Sequence, residues 1–307
     1  MATIFNQLSK GKEVLYPFTI AEGLTSKQIV KVIGKNKLFD VENIDEERLI
    51  ESDTRTYRKK IKLGDKIKPH DDREYKYIIT DKNIGNYFKN KYAQKKLYEE
   101  IKTRTKSIIY ISGLGVYGET GDKVIDESQE YNPNTNFVKI RLDAEKYLKE
   151  NSLEHKIDFA VAHFGDVYGE EGWFYEMLIK RLKKNTFRMP KGGEYHKCFV
   201  HVDDAVGSMI AILEKESFGE SFIIADSMPV SFKEFSNFAA DQISAKHPGS
   251  VPVFLAKAVL GSDLIKLLTT PIKVSNKKIL KIYDFKYPNY KDGIKQVTSE
   301  LKSKNMI

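Results

Sequence analysis

Two apolar runs that end on glycine constrain this chain most. They are Ser107-Ile-Ile-Tyr-Ile-Ser-Gly-Leu-Gly-Val-Tyr-Gly118 and Ile157-Asp-Phe-Ala-Val-Ala-His-Phe-Gly-Asp-Val-Tyr-Gly169. Strands buried on both faces read as near-continuous apolar runs, the signature of a parallel sheet covered by helices. Open sheets of that kind hold ligands at the carboxyl ends of their strands. Residues 107–118 and 157–169 are therefore read as two walls of one cleft.

The surrounding pattern agrees. Tyr75 to Thr80 reads as a strand and Asn86 to Thr103 as an amphipathic helix. Strand 107–112 leads through a polar loop with Pro133 to a helix from Asn136 to Glu150. Strand 157–163 and helix 173–184 follow. Cys198-Phe-Val-His-Val202 then enters a helix that Asp203 is placed to cap, running to Lys215. Ser221 to Ala225 is a last sheet strand, and Ser231 caps helix 232–243. Strands alternating with helices of this length argue for βαβ units. A polar break falls at Lys68-Pro-His-Asp-Asp-Arg73. Before it, Val14 to Ile20 reads as a strand and Thr25-Ser-Lys-Gln28 as the capping-box start of a helix. The expected fold class is α/β: a parallel sheet with flanking helices over 71–307, preceded by a small α+β segment over 1–70.

Composition narrows the function classes. The single cysteine, Cys198, excludes a disulfide framework and fits a reducing, cytoplasmic compartment. No signal peptide is read at the start. The most lipid-like stretch, Val251 to Ile272, carries Lys257, Asp263 and Lys266. Charges at those depths exclude a span, so a packed helix of a small domain and no membrane partner are expected. The net charge of +8 raises the question of nucleic acid. Most of the basic residues are scattered lysines, however, and arginine is favoured for bidentate base or phosphate reading. A solvated surface and no nucleic-acid partner are expected.

Gly113-Leu-Gly-Val-Tyr-Gly118 has the G-x-G-x-x-G spacing of the dinucleotide fingerprint. That motif needs a helix starting at the second glycine, so that its N-terminus meets the pyrophosphate. Here Glu119-Thr-Gly-Asp-Lys123 follows with no apolar period, so a turn after a strand is expected instead. No Cys/His cluster has metal-ligand spacing and no serine sits on a nucleophile elbow, so no metal site is assigned. Asp126-Glu127 and Glu170-Glu171 read as solvated turns, and His201 and Asp203 as structural. His163 ends a strand facing the cleft, as a ligand contact or as a satisfied core histidine.

Several motifs occur in one order: Ser112-Gly113, Val116-Tyr-Gly118, Asp126-Glu127, Pro133, Arg141, Ala144-Glu145, Val167-Tyr-Gly169, Phe199-Val-His-Val-Asp-Asp204 and Tyr287-Pro-Asn-Tyr-Lys-Asp-Gly293. Over about 75–307 this order resembles the extended short-chain dehydrogenase/reductase superfamily, closest to its atypical NAD(P)-binding branch near the nucleotide-sugar epimerases. The resemblance implies a Rossmann-like domain with a small C-terminal subdomain, NAD(P) as cofactor, and a nucleotide or nucleotide sugar as partner. Ser112, Gly113, Arg141 and His163 are then the candidate cofactor-binding residues. Residues 1–66 resemble a fragment of the endolytic murein transglycosylases, through Lys12 to Ile29 and Asp53-Thr-Arg-Thr-Tyr57.

Three departures stand out against the resemblance. Active members carry Ser or Thr where this chain has Gly113, a tyrosine acid/base where it has Phe137, and a lysine where it has Arg141. Phenylalanine has no proton to transfer, so no catalytic residue is assigned. Arg141 stays charged and can hold a ribose or phosphate, or pair with Asp143 or Glu145. The glycine-rich first half of the family fold is missing before Tyr75, so the sheet is expected to be truncated, with strand 75–80 at its edge. Either residues 1–70 cover that edge, or another chain does, as a protein partner or by self-association, or the protein is only marginally folded. The expected function is a non-catalytic or vestigial member with at most weak NAD(P) binding. The alternatives are a working NAD(P)-dependent nucleotide-sugar epimerase or reductase using Ser112, Arg141 and His163, and a protein-interaction module.

Overall fold

The computed structural model of the chain describes the backbone of residues 75–79, together with residues 98, 102, 103 and 105–307. The readings placed on residues 1–74, including the transglycosylase resemblance, and most of helix 86–103 lie outside the described residues. The central sheet has four parallel strands in the order β1 (Tyr75–Ile79), β2 (Thr105–Gly113), β4 (Asp158–Phe164) and β9 (Ser221–Ile224). β3 (Val124–Ile125) lies outside this sheet and pairs with a short strand at Lys273–Val274. β1 is the outermost strand of the described sheet.

Why β2 and β4 read as unbroken apolar runs is now visible. Alternate residues along a strand point to opposite faces, and here both faces are covered. Ile109, Ile111, Ala160, Ala162 and Phe164 pack with Val206, Met209, Ile210 and Leu213 of the helix α3 (Val202–Glu214). Ile108, Tyr110, Phe159 and Val161 pack on the other side with Ala144 and Leu148 of α1 (Asn136–Glu154). Ile108, Ile109 and Tyr110 are wholly buried, each worth roughly 1.5–3 kcal/mol relative to exposure. A second core joins Tyr168, Phe174, Phe199 and Phe235 to Tyr290, Ile294, Val297 and Leu301. It lies under α4 (Phe232–Gln242) and the C-terminal helix Tyr290–Ser303.

Several local expectations are corrected. Residues 174–179 form a π-helical turn before the short α2 (Lys180–Lys183), where a regular helix is expected. The N-cap of α3 is His201, whose Nδ1 accepts the Asp203 N–H at 3.1 Å; Asp203 instead pairs with Lys286 at 3.1 Å. Its neighbour Asp204 is buried and accepts from the Tyr283 hydroxyl and the Lys286 and Tyr287 amides, which clamps the segment 283–287 to the start of α3. Glu127 is not a solvated turn residue, because its Oε1 accepts the Ile223 N–H of β9 at 2.7 Å. Val251 to Ile272 is not a packed helix. It folds into two short helices, α5 (Val253–Leu260) and α6 (Ser262–Thr269), most of whose residues face solvent. Ser231 caps α4 as expected, in a reciprocal capping box with Glu234. Cys198 is a free, buried thiol, pushed up to about 12 by burial. Among the described residues no helix is long and apolar enough to cross a membrane.

Candidate functional site

The strand register aligns the carboxyl ends of the sheet. Ser112 stands beside His163, Gly113 beside Phe164, and His163 beside Ile223. The chain leaves β2 through a tight helical turn at Leu114–Tyr117, with no helix starting at Gly115, so the glycines act as a turn and not as a dinucleotide fingerprint. Gly118 closes that turn at φ +70°, and any Cβ there would run into the Asn132 carbonyl. Leu114, Val116 and Tyr117 pack with Val138 and Leu142 of α1 and with Ile223, Ala225, Ile272 and Val274, forming an apolar floor at the mouth of the sheet.

Two of the four candidate residues sit within a buried polar network. His163 is wholly buried; its Nδ1 lies 3.0 Å from the Tyr117 hydroxyl and its Nε2 lies 3.2 Å from Glu145 Oε2. Burial alone would lift the Glu145 carboxyl. The hydrogen bond and charge of His163, followed by the Tyr131 and Ser112 hydroxyls, hold it below the usual carboxylate range. Burial pushes the Tyr117 and Tyr131 hydroxyls far above their ordinary value, with nearby acidic groups adding to the effect. The three rings of Tyr117, Tyr131 and His163 meet edge-on or tilted, with centroids 5.1–5.6 Å apart. The two tyrosines therefore keep their protons at neutral pH, and the network ties α1 to the strand ends. Tyr117 and Glu145 lie within motifs visible in the sequence, but nothing there shows that they converge on His163.

The other two candidates meet at the end of β2, where Gly113 is buried and Arg141 half-buried. Arg141 sits one turn after Phe137 on α1, and its guanidinium lies 4.9 Å from the centroid of the half-exposed Phe137 ring. A Cβ on Gly113 would stand 2.5 Å from Arg141 Nη1. The guanidinium therefore fills the space that a serine or threonine at 113 would occupy. Glu145, one of two suggested partners for Arg141, is engaged by His163. The Tyr110 hydroxyl donates to the Arg141 carbonyl at 3.2 Å. Among the described residues no group of three metal-ligating side chains gathers anywhere.

Residues 81–225 match the NAD dependent epimerase/dehydratase family. A 3-diazoavenalumate denitrifying reductase from Streptomyces is 31% identical over 139 residues, covering 44% of this chain and 45% of that protein. The chain thus spans under half the length of that relative. Among solved structures, a human epimerase family protein with NADPH superposes with a TM-score of 0.62 at 16% identity, covering 78% of this chain and 85% of the other. A UDP-glucose 4-epimerase from Thermotoga maritima with UDP-glucose reaches 0.64 at 16% identity, covering 99% and 96%. These structures share the Rossmann-like α/β fold, a parallel sheet with flanking helices, in agreement with the sheet described above. Over residues 81–225 this chain is therefore similar to the NAD dependent epimerase/dehydratase family.

Proposed function

We propose that this chain is a non-catalytic, cytoplasmic member of the epimerase/dehydratase superfamily, with at most weak binding of NAD(P) or a nucleotide sugar. In this reading residues 71–307 form an incomplete NAD(P)-binding domain with a small C-terminal subdomain, and residues 1–70 are a separate segment. One observation carries the reading: Gly113, Phe137 and Arg141 form a single rearrangement. The position that should deliver a proton holds a hydrocarbon ring, and the arginine packs on that ring and against the glycine. General acid/base work needs a group within hydrogen-bond reach of the reacting atom. The Tyr117–His163–Glu145 network is buried and its members are engaged with one another.

The cofactor fit is partial. NAD(P) would bring hydride transfer chemistry. Arg141 offers a permanent positive charge at the strand ends, suited to a ribose or phosphate, whereas Phe137 carries no hydroxyl to donate. The test combines calorimetric titration of NAD(P)H with turnover assays on a panel of nucleotide sugars. No turnover and a Kd weaker than millimolar are expected. Turnover above background that Arg141→Ala abolishes would overturn the proposal in favour of an epimerase or reductase with an unusual site.

A further inference from the structure

The stretch from Val251 to Ile272 carries three charged residues, Lys257, Asp263 and Lys266. It folds as α5 and α6, hinged at Gly261 with φ +83°. Only Ala256 on α5 and Ile265 and Thr269 on α6 are buried. Phe254 and Val259 are 70% and 81% exposed, and Leu255, Leu260, Leu264 and Leu268 are exposed as well. At the helical advance of about 100° per residue, positions 254, 255, 259 and 260 spread over about 240° of the circumference of α5.

That geometry separates two kinds of cover. A helix that docks on a protein face shows an apolar stripe facing that one side, whereas a helix apolar around most of its surface belongs in surroundings that enclose it. At the boundary between lipid headgroups and acyl chains the outward apolar residues sink toward the acyl chains, while Ala256 and Ile265 stay packed on the protein. Eight residues make about 12 Å of helix, far short of the ~30 Å needed to span, but suited to the 5–10 Å depth of an interfacial helix. The charges fit as well. Lys257 and Lys266 are exposed, whereas the Asp263 carboxylate accepts the Asn136 N–H at 3.2 Å. Long lysine stems reach past apolar neighbours to place their ammonium groups among anionic headgroups. The absence of a spanning helix, which set membranes aside in the sequence, does not bear on this mode of binding.

We infer that the α5–α6 hairpin docks in the interfacial layer of an anionic lipid bilayer. The hairpin is seated on α1 and on the turn after β2, through Asn134 to Thr270 at 3.0 Å and through Leu267 against Gly115. Docking therefore holds the mouth of the cleft at the membrane surface. The test is co-sedimentation of the full chain with phosphatidylserine-rich vesicles and with pure phosphatidylcholine vesicles. The wild type sediments with the anionic vesicles. Phe254→Asp with Val259→Asp, both at exposed positions and therefore foldable, lowers binding at least ten-fold. Lys257→Ala and Lys266→Ala each weaken the anionic preference about five-fold. Three results would overturn the inference: no sedimentation with either vesicle, sedimentation that the aspartate variant leaves unchanged, or a soluble dimer that the aspartate variant dissociates.

Discussion

Asp226 gives the most quantitative test of the structure. It follows the carboxyl end of β9 and is 1% exposed. Its Oδ1 accepts the Met228 N–H at 3.0 Å, and its Oδ2 has no hydrogen-bond partner among the described residues. Burial raises this carboxyl from 3.8 to about 8, the Met228 amide opposes the rise and the charge of Asp204 adds to it. A carboxyl with a raised native pKa favours the folded state while it is protonated. Its contribution is complete below the unfolded value and is lost as pH climbs toward about 8. Between pH 5 and pH 8 the unfolded chain has released this proton and the native chain keeps it. Each pH unit therefore removes about 1.4 kcal/mol of stability, or about 4 kcal/mol across the window. That is a large part of a typical net stability of about 5–15 kcal/mol. Asp226→Asn keeps the acceptor for Met228 and removes the titration. Urea unfolding followed by the fluorescence of Trp173, whose indole donates to the Val167 carbonyl within the second core, reads both proteins at each pH. The variant gains on the wild type by about 4 kcal/mol from pH 5 to pH 8. Parallel stability curves for the two proteins would refute the reasoning.

Three further outcomes are expected. His163→Ala removes the partner of the buried Glu145 carboxylate and costs about 3–5 kcal/mol in urea unfolding; a loss under about 1 kcal/mol would mean that the pair does not tie α1 to the sheet. Gly118→Ala places a Cβ in a left-handed turn and against the Asn132 carbonyl, so stability falls by about 2 kcal/mol or more, read as a lowered Tm. Ser231→Ala breaks the capping box of α4 and costs about 1 kcal/mol in the same assay, with Ser231→Thr largely restoring it.

The strands and helices of the main unit were legible because their causes are local. A strand covered on both faces must be apolar at every position, so 107–112 and 157–163 stand out, and the structure extends the first to 105–113 and shifts the second by one residue to 158–164. Ser231 with Glu234 three residues later announces the start of α4, and the helix beginning at Asn136 runs to Glu154. Caps that depend on a competing partner were less legible. Asp203 has the right chemistry for a cap, but Lys286, far along the chain, takes its carboxylate and His201 supplies the cap.

What the amino-acid order determined by itself was the alternation of strand and helix and the glycine turn. These follow from residue identity and short spacing, whereas Phe137 counts as a missing proton donor only through the family resemblance. Tertiary structure alone decided that His163, Tyr117, Tyr131 and Glu145 close into one buried network, that Arg141 fills the space left at Gly113, and that an apolar hairpin faces outward. The reason is physical: burial and hydrogen-bond partnership are properties of what the folded chain brings next to a side chain, and composition does not encode which apolar surface is left uncovered.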